Sequence, residues 1–154
     1  MMWASTLRET KVFKDLTAEE IDLVEKLVND RSYKTETKVV KEGDSATKFY
    51  ICVEGELAIQ IDVPGRGTIM TGTIGDNNIF GWSALATIPH YGASVVTRKD
   101  SRVLVLSGNS MKKIFEKHPR IGYCVMRNLI EVISSRLQDV RFALASCITD
   151  YRES

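Results

Sequence analysis

Apolar and polar positions follow three successive patterns along the chain of 154 residues. From Ala18 to Asn29, apolar residues recur every three or four positions, which is typical of a helix that buries one face. From Tyr33 to Leu106, short runs of β-branched and aromatic residues alternate with turn-forming residues, as in antiparallel strands. From Ser110 the helical spacing returns. The pattern therefore predicts a mainly β fold with flanking helices.

The first helix has a clear start. Thr17 and Glu20 have the spacing of a capping box, in which the hydroxyl accepts from the Glu20 N–H and the carboxylate accepts from the Thr17 N–H. Leu16 and Ile21 occupy the positions of a hydrophobic staple. We predict a helix from Ala18 to about Asn29.

Turn-forming segments divide the central region into short strands. These segments are KEGD (residues 41–44), PGRG (64–67) and IGDNN (74–78), and a further turn joins two strands near Gly55. Short strands at regular spacing indicate a sandwich or a barrel.

A break at His118 and Pro119 separates a short helix from a long one, which we predict to run from Pro119 to about Ala145. The long helix carries two apolar stripes. The first, termed the seam, comprises Met126, Ile130, Ile133, Leu137, Val140, Leu144 and Cys147. The second comprises Ile121, Val125, Leu129 and Val132. If one stripe covers the barrel, the seam can pair with the same helix of a second copy, so we expect a parallel homodimer. The alternative is that this chain buries both stripes itself.

The composition and charge of the chain argue against several classes of function. The net charge of +1 argues against a surface that attracts nucleic acid or an anionic membrane. The three cysteines are scattered and form no Cys-x-x-Cys pair, which favours a reducing cytoplasm and predicts neither a disulfide framework nor a cysteine metal cluster. The sequence contains no apolar run of about 18 residues and no apolar signal core, so we expect a cytoplasmic protein without a membrane segment. No linker divides the chain, so we expect one domain over residues 1–154.

The segment from Asn77 to Val96 interrupts the β pattern with one helical turn that starts at Gly81. A helix start presents unpaired backbone N–H groups to an anion, and glycine permits a close approach. The order of elements, with the sequences FKDLTAEEI, KEGDSATKFYICVEGELAI, FGWSAL with YGASVV, and HPRIGYCVMRNLIEVISSRLQD, resembles the cyclic-nucleotide-binding domain. That domain is the regulatory module of catabolite-activator-type bacterial regulators, kinase regulatory subunits and gated channels.

The resemblance implies a double-stranded β-helix (jelly roll) with an N-terminal helix and a long C-terminal helix. It divides the domain into a helical segment (1–30), a β-roll (31–107) with a phosphate-binding cassette (80–94), and C-terminal helices (108–147). The implied ligand is a cyclic nucleotide, cyclic AMP or cyclic GMP, or another small anion. The implied ligand-binding residues are Gly81, Trp82, Ser83, Ala84, Leu85, Tyr91, Gly92, Ala93 and Ser94.

Two positions of the cassette depart from the family pattern. Nucleotide-binding members usually carry Glu after the cassette glycine, where it accepts from the ribose, and Arg near the end of the cassette, where it pairs with the phosphate. Here these positions hold Trp82 and Tyr91. A tyrosine hydroxyl is a neutral single donor, whereas an arginine fork binds phosphate through two charged hydrogen bonds. The Trp82 ring can line the pocket and stack on a ligand, or it can plug the pocket.

Other functions of related folds need residues that are absent from this sequence. Only residues 148–154 follow the seam, too few for a helix-turn-helix, so direct DNA binding is not expected. Three dispersed cysteines do not hold an iron–sulfur cluster. His90 and His118 cannot supply the several histidines of a cupin metal site. We therefore expect neither catalytic nor metal-binding residues.

Two hypotheses of different class remain. In the first, the chain is a dimeric ligand sensor whose cassette binds a small anion or nucleotide and whose long helix passes the signal to a separate effector protein. In the second, the pocket is degenerate and the chain serves only for dimerisation or protein docking.

Overall fold

The computed structural model describes residues 2–87 and 90–153, with side chains in the last stretch as far as Ile148, so residues 88 and 89 of the predicted cassette lie outside it. The helices are α1 (Ala4–Glu9), α2 (Ala18–Glu25), α3 (Gly108–Lys117) and α4 (Pro119–Glu153), and a 3₁₀ helix spans Trp82–Leu85. The strands are β1 (Asn29–Tyr33), β2 (Lys38–Val40), β3 (Lys48–Glu54), β4 (Leu57–Val63), β5 (Gly67–Ile74), β6 (Ile79–Phe80), β7 (Ser94–Thr97) and β8 (Ser101–Ser107).

The strands form two four-stranded antiparallel sheets, in the orders β1-β8-β3-β6 and β2-β7-β4-β5. Most neighbours in a sheet are distant in sequence, because the chain passes repeatedly from one sheet to the other. The exception is the hairpin of β4 and β5, where Leu57 pairs with Ile74 and Val63 pairs with Gly67. This arrangement confirms the predicted jelly roll with a long C-terminal helix.

Strand β3 sends side chains into two cores. Phe49 and Ile51 join a core shared with the helices, where the Phe49 and Phe13 rings meet edge-on with centroids 6.3 Å apart. Tyr50 and Cys52 belong to the core between the two sheets. Because both faces of this strand are covered, its sequence is a continuous apolar run and not an alternating one.

The predicted capping box at the start of α2 is present. The Thr17 N–H donates to Glu20 Oε1 at 2.9 Å, and the Glu20 N–H donates to Thr17 Oγ1 at 3.2 Å. The predicted end of this helix was wrong, since α2 stops at Glu25. Asn29 already pairs with Val105 of β8, and a residue in a strand cannot continue a helix. The short helix α1 was not predicted.

Helix α4 begins at Pro119 as predicted and continues to Glu153, beyond the expected end at Ala145. Neither α4 nor any other helix among the described residues combines the length and the apolar character that a membrane span requires.

The two stripes of α4 have different environments. Ile121, Val125 and Leu129 of the second stripe are buried in the core shared with α1, α2 and α3. Of the seam, Met126 packs partly against that core, whereas Ile130 is 64% exposed and Leu137 is 56% exposed. The alternative in which this chain buries both stripes is therefore wrong beyond Met126. The homodimer remains a prediction.

Candidate ligand cavity

The 3₁₀ helix Trp82–Leu85 is the helical turn predicted within the β region, and Gly81 precedes it. Gly81 has a left-handed backbone conformation, with φ 76° and ψ 26°. A Cβ atom at this position would lie 2.8 Å from Cδ2 of Tyr50 and 2.9 Å from the carbonyl oxygen of Lys48. Both the backbone conformation and the lack of space therefore require glycine here.

A cavity of about 360 Å³ lies between the β-roll, the 3₁₀ helix and α4. The roll contributes Val40, Ile59, Ile61, Thr71, Phe80 and Val95. The cassette contributes Gly81, Trp82, Ser83, Tyr91, Gly92 and Ala93. Helix α4 contributes Ile133, Arg136, Leu137 and Val140. The volume lies at the lower end of the range for ligand pockets, roughly 300–1,000 Å³.

Three of the predicted ligand-binding residues do not line this cavity. Ala84 is buried in the core between the sheets, and Leu85 packs partly against the helical core. The Ser94 hydroxyl accepts a hydrogen bond from the Glu42 N–H at 2.9 Å. The Ser94 side chain therefore holds the turn after β2 in place and does not face the cavity.

Tyr91 lines the cavity with its ring, but its hydroxyl is occupied elsewhere. The hydroxyl donates to the Lys48 carbonyl at 2.8 Å and accepts from the Lys48 N–H at 3.2 Å. Burial raises the pKa of the Tyr91 phenol, while the hydrogen bond to Lys48 opposes this shift. The group is thus neutral and bound to the backbone, so it does not replace a charged phosphate ligand.

Trp82 lies at one side of the cavity without filling it. Its side chain is half-buried and packs against the helical core, and the open volume remains next to its ring. The guanidinium carbon of Arg136 lies 5.0 Å from the centroid of this ring, which is the geometry of a cation–π contact.

Arg136 brings a positive charge from α4 into the cavity. Its Nη2 donates to the Ile79 carbonyl. Burial lowers the pKa of the guanidinium from its usual value, and the carboxylate of Asp139 opposes this effect. Sequence reasoning missed this residue. The available signal was its spacing, three positions after Ile133 and four before Val140, on the same helix.

A second apolar groove, of about 550 Å³, separates the end of α4 from the hairpin of β4 and β5. The hairpin side carries Ile61, Val63 and Ile69, and the helix side carries Val140, Leu144 and Ile148. The C-terminal part of the seam thus faces open space beside the roll.

The sequence matches the cyclic nucleotide-binding domain family over residues 30–118, which is more than half of the chain. The chain belongs to this family. It is therefore a regulatory ligand-binding domain. A protein of Rhodopseudomonas palustris that bears the provisional name potassium channel protein is 25% identical to this domain over 134 residues. The match covers 87% of this chain and 31% of that protein, so the chain spans less than a third of the relative's length.

Solved structures show the same fold as this cyclic nucleotide-binding domain. A cyclic nucleotide-binding domain from Methylobacillus flagellatus KT has a TM-score of 0.81 at 19% identity, over 90% of this chain and 80% of that one. The catabolite activator protein of Thermus thermophilus has a TM-score of 0.73 at 22% identity, over 90% of this chain and 63% of that one. The PKA regulatory domain of Toxoplasma gondii, crystallised with cAMP, has a TM-score of 0.67 at 22% identity, over 72% of this chain and 42% of that one.

No group of three or more His, Cys, Asp or Glu side chains within the described part of this domain is arranged to hold a metal ion. The polar groups that remain at the cavity are backbone amides, the hydroxyls of Thr71 and Ser83, and the Arg136 guanidinium. Such a set can bind and orient an anion.

Proposed function

We propose that this domain binds a small anionic ligand in the cavity beneath α4 and passes the signal through that helix to a separate effector protein. The observation that carries the proposal is the position of Arg136, a cationic side chain of the long helix that lines the ligand cavity. A ligand that pairs with this side chain would interact with the β-roll and with α4 at once. Its binding would therefore favour one arrangement of the helix over others.

Cyclic AMP and cyclic GMP are the first candidate ligands, because the chain belongs to their family and a relative of the same fold was crystallised with cAMP. The cassette itself offers fewer side-chain contacts to a cyclic nucleotide than a typical one, since Trp82 and Tyr91 occupy the positions of the usual Glu and Arg. A cyclic phosphate would rely on Arg136 and on backbone N–H groups after Gly81. We expect its affinity to be lower than the fold alone suggests.

Contacts between the cassette and the C-terminal helices support the proposed route of the signal. Lys112 of α3 donates from Nζ to the Ala86 carbonyl at 3.1 Å. Gly108, at the start of α3, packs so closely that a Cβ atom there would lie 2.5 Å from the Ala84 carbonyl oxygen. Arg136 adds a contact from α4 to the carbonyl of Ile79, the residue directly before the cassette. A ligand that displaces the cassette would therefore displace α3 and α4.

Thermal unfolding and calorimetric titration test this function. The ligands are cyclic AMP, cyclic GMP, cyclic dinucleotides and a set of small organic acids, each added to the unmodified protein. A ligand present at 100 times its Kd should stabilise the fold by about 2.7 kcal/mol. If none of these compounds raises the melting temperature or releases heat on binding, the sensor function is refuted.

The alternative function is a dimerisation or docking module that binds no nucleotide. The observation that favours it is the bound hydroxyl of Tyr91, which leaves the position of the usual arginine without a group to pair with phosphate. A ligand-induced shift of the melting temperature by any compound of the set would count against this alternative.

A homodimer through the seam fits either function. Ile130, Leu137 and Leu144 are exposed at the heptad positions that pair in parallel helices, and Leu144 lines an apolar groove. A second copy of α4 would cover the apolar surface that this chain leaves exposed, and a symmetric pair needs no further component. Sedimentation of the unmodified protein tests this proposal. A monomer at every concentration would refute it.

A further inference from the structure

Among the described residues, the lining of the cavity is mainly apolar, with the hydroxyls of Thr71 and Ser83 and one charged group among its side chains. Val40, Ile61 and Val95 cover the roll side, and Ile133, Leu137 and Val140 cover the α4 side. A ribose or another polyhydroxyl group buried here would find few partners, and an unpaired buried polar group is costly. The body of a well-fitting ligand is therefore apolar.

The charged group is the guanidinium of Arg136. Arginine has five N–H donors, and among the described residues this side chain makes one hydrogen bond, to the Ile79 carbonyl, and no ion pair. The guanidinium carbon lies 5.0 Å from the centroid of the Trp82 ring, a cation–π contact that uses none of the N–H donors. A partly buried cation with free donors is suited to a two-oxygen anion, which pairs with the fork through parallel charged hydrogen bonds.

On the cassette side of the cavity, the described residues include no cationic side chain. The Tyr91 hydroxyl is bound to the Lys48 backbone, and Trp82 offers a ring where the family has a carboxylate. Among the described lining residues, the Arg136 guanidinium is therefore the cationic group available to a bound anion.

From these observations we infer that the natural ligand is a compact, mainly apolar monocarboxylate, whose carboxylate pairs with Arg136 while its apolar body fills the space beside Trp82. This inference rests on the proposed function, because it names the ligand class of the same cavity. A cyclic nucleotide carries a single anionic charge as well, but the described lining offers its ribose and base edges few side-chain partners, namely the hydroxyls of Thr71 and Ser83.

Calorimetry with three matched pairs of probes tests the inference. The pairs are phenylacetate with phenylacetamide, 3-phenylpropionate with 3-phenylpropionamide, and octanoate with octanamide. Each pair keeps the apolar body and changes only the charge. At least one carboxylate should bind the unmodified protein about tenfold or more tightly than its amide, because a hydrogen bond to a charged partner is lost in the amide.

Variants test whether the charge of Arg136 causes the preference for a carboxylate over its amide. Arg136→Gln should remove the preference for the carboxylate, and Arg136→Lys should keep part of it. The control Arg141→Gln, at an exposed position of α4 outside the cavity lining, should leave it unchanged. If Arg136→Gln fails to fold, the matched pairs on the unmodified protein decide the question.

Each remaining outcome contradicts either the inference alone or the proposed function as well. Equal affinities for acid and amide, or an unchanged preference in Arg136→Gln, would overturn the inference. Binding of cyclic AMP but of none of the carboxylates would overturn the inference and leave the proposed function intact. If neither the carboxylates nor the cyclic nucleotides bind, both are wrong.

Discussion

The two halves of α4 differ although their sequences are similarly rich in apolar residues. The first half, from Pro119 to about Val132, packs Ile121 and Val125 into the helical core, where both are fully buried. The second half, from Ile133 onward, lies beside a cavity and a groove and exposes Leu137 and Leu144. An apolar stripe on a helix therefore identifies a surface to be covered, but not what covers it.

The two halves of α4 have different roles. Polar contacts reinforce the first half, since Arg127 and Asn128 donate to Asp15 at 2.8 Å and 2.9 Å. The second half carries Arg136 and the exposed part of the seam, and its known contacts are to the cassette and the roll. The first half anchors the helix, and the second half is the part that a ligand or a partner can influence.

The largest expected effect is on the oligomeric state. Replacing both Ile133 and Leu137 with Glu places charges on the seam, so the proposed dimer should dissociate completely, as seen by sedimentation. Phe142→Glu is the matched control, because Phe142 is 73% exposed on the same helix but lies off the seam. A variant that sediments like the unmodified protein would contradict the seam as the interface.

The second prediction compares the same substitution in the two halves. Leu129 is 5% exposed and Leu144 is 60% exposed. Leu129→Ala should lower the free energy of unfolding by about 2–5 kcal/mol, because it opens a cavity in the core. Leu144→Ala should lower it by less than about 0.5 kcal/mol.

Both substitutions are best measured by chemical denaturation in the Ile133→Glu, Leu137→Glu background, where a dimer interface does not contribute. Similar losses from Leu129→Ala and Leu144→Ala would show that the two halves of α4 are equally packed, and the comparison would fail.

A smaller effect on stability is expected from a substitution at Tyr91. Its ring lines the cavity beside the second half of α4, whereas its hydroxyl stabilises the roll. Tyr91→Phe removes the two hydrogen bonds to Lys48 and should cost about 1–3 kcal/mol of unfolding free energy, because the backbone groups lose a buried partner. Ligand affinity should stay the same. Tyr123→Phe, at an exposed tyrosine, is the control. Loss of affinity without loss of stability would mean that the hydroxyl binds the ligand.

The smallest expected effect is on the pH dependence of stability, through the contacts of Asp15 with the first half of α4. Hydrogen bonds from Asn128 and Arg127 hold the pKa of Asp15 below its usual value of 3.8. Because the carboxyl has a lower pKa in the folded state than in the unfolded state, its ionised form stabilises the fold at any pH above the unfolded-state pKa. This stabilisation is lost as the pH falls through the folded-state pKa. Asp15→Asn should therefore flatten the acid side of the stability curve, measured by urea denaturation below about pH 5.

Asp44→Asn, at an exposed turn position, serves as the control for the Asp15 experiment. An acid slope that is the same in Asp15→Asn and in the unmodified protein would show that the contact to Asn128 does not stabilise the carboxylate.

Local patterns accounted for much of the fold. The capping box of Thr17 and Glu20 depends on residues three positions apart, and the turn between β4 and β5 depends on the neighbouring residues 64–67, so both could be predicted directly. The end of α2 could not, because it depends on the pairing of Asn29 with Val105 in a distant strand. The helix beyond Ala145 was missed because its apolar spacing weakens there.

The candidate site was predicted only in part, for a related reason. Gly81 was identified because its role is a property of the local backbone. Arg136 was missed because its importance depends on α4 lying across a cassette 54 positions earlier in the chain, a separation that follows from the Trp82 contact. Ser94 was expected to face a ligand, yet its hydroxyl accepts from Glu42.

By itself, the sequence determined the succession of a helix, a region of short strands and two C-terminal helices, the start of α2, the glycine-led turn and the periodic apolar stripes of α4, because these features follow from interactions between near neighbours. Only the tertiary structure decided which stripe the core covers, where the hydroxyls of Tyr91 and Ser94 point, and that Arg136 enters the cavity. The physical reason is that burial and charge pairing depend on which distant segments come together, and spacing along one helix or strand does not contain that information.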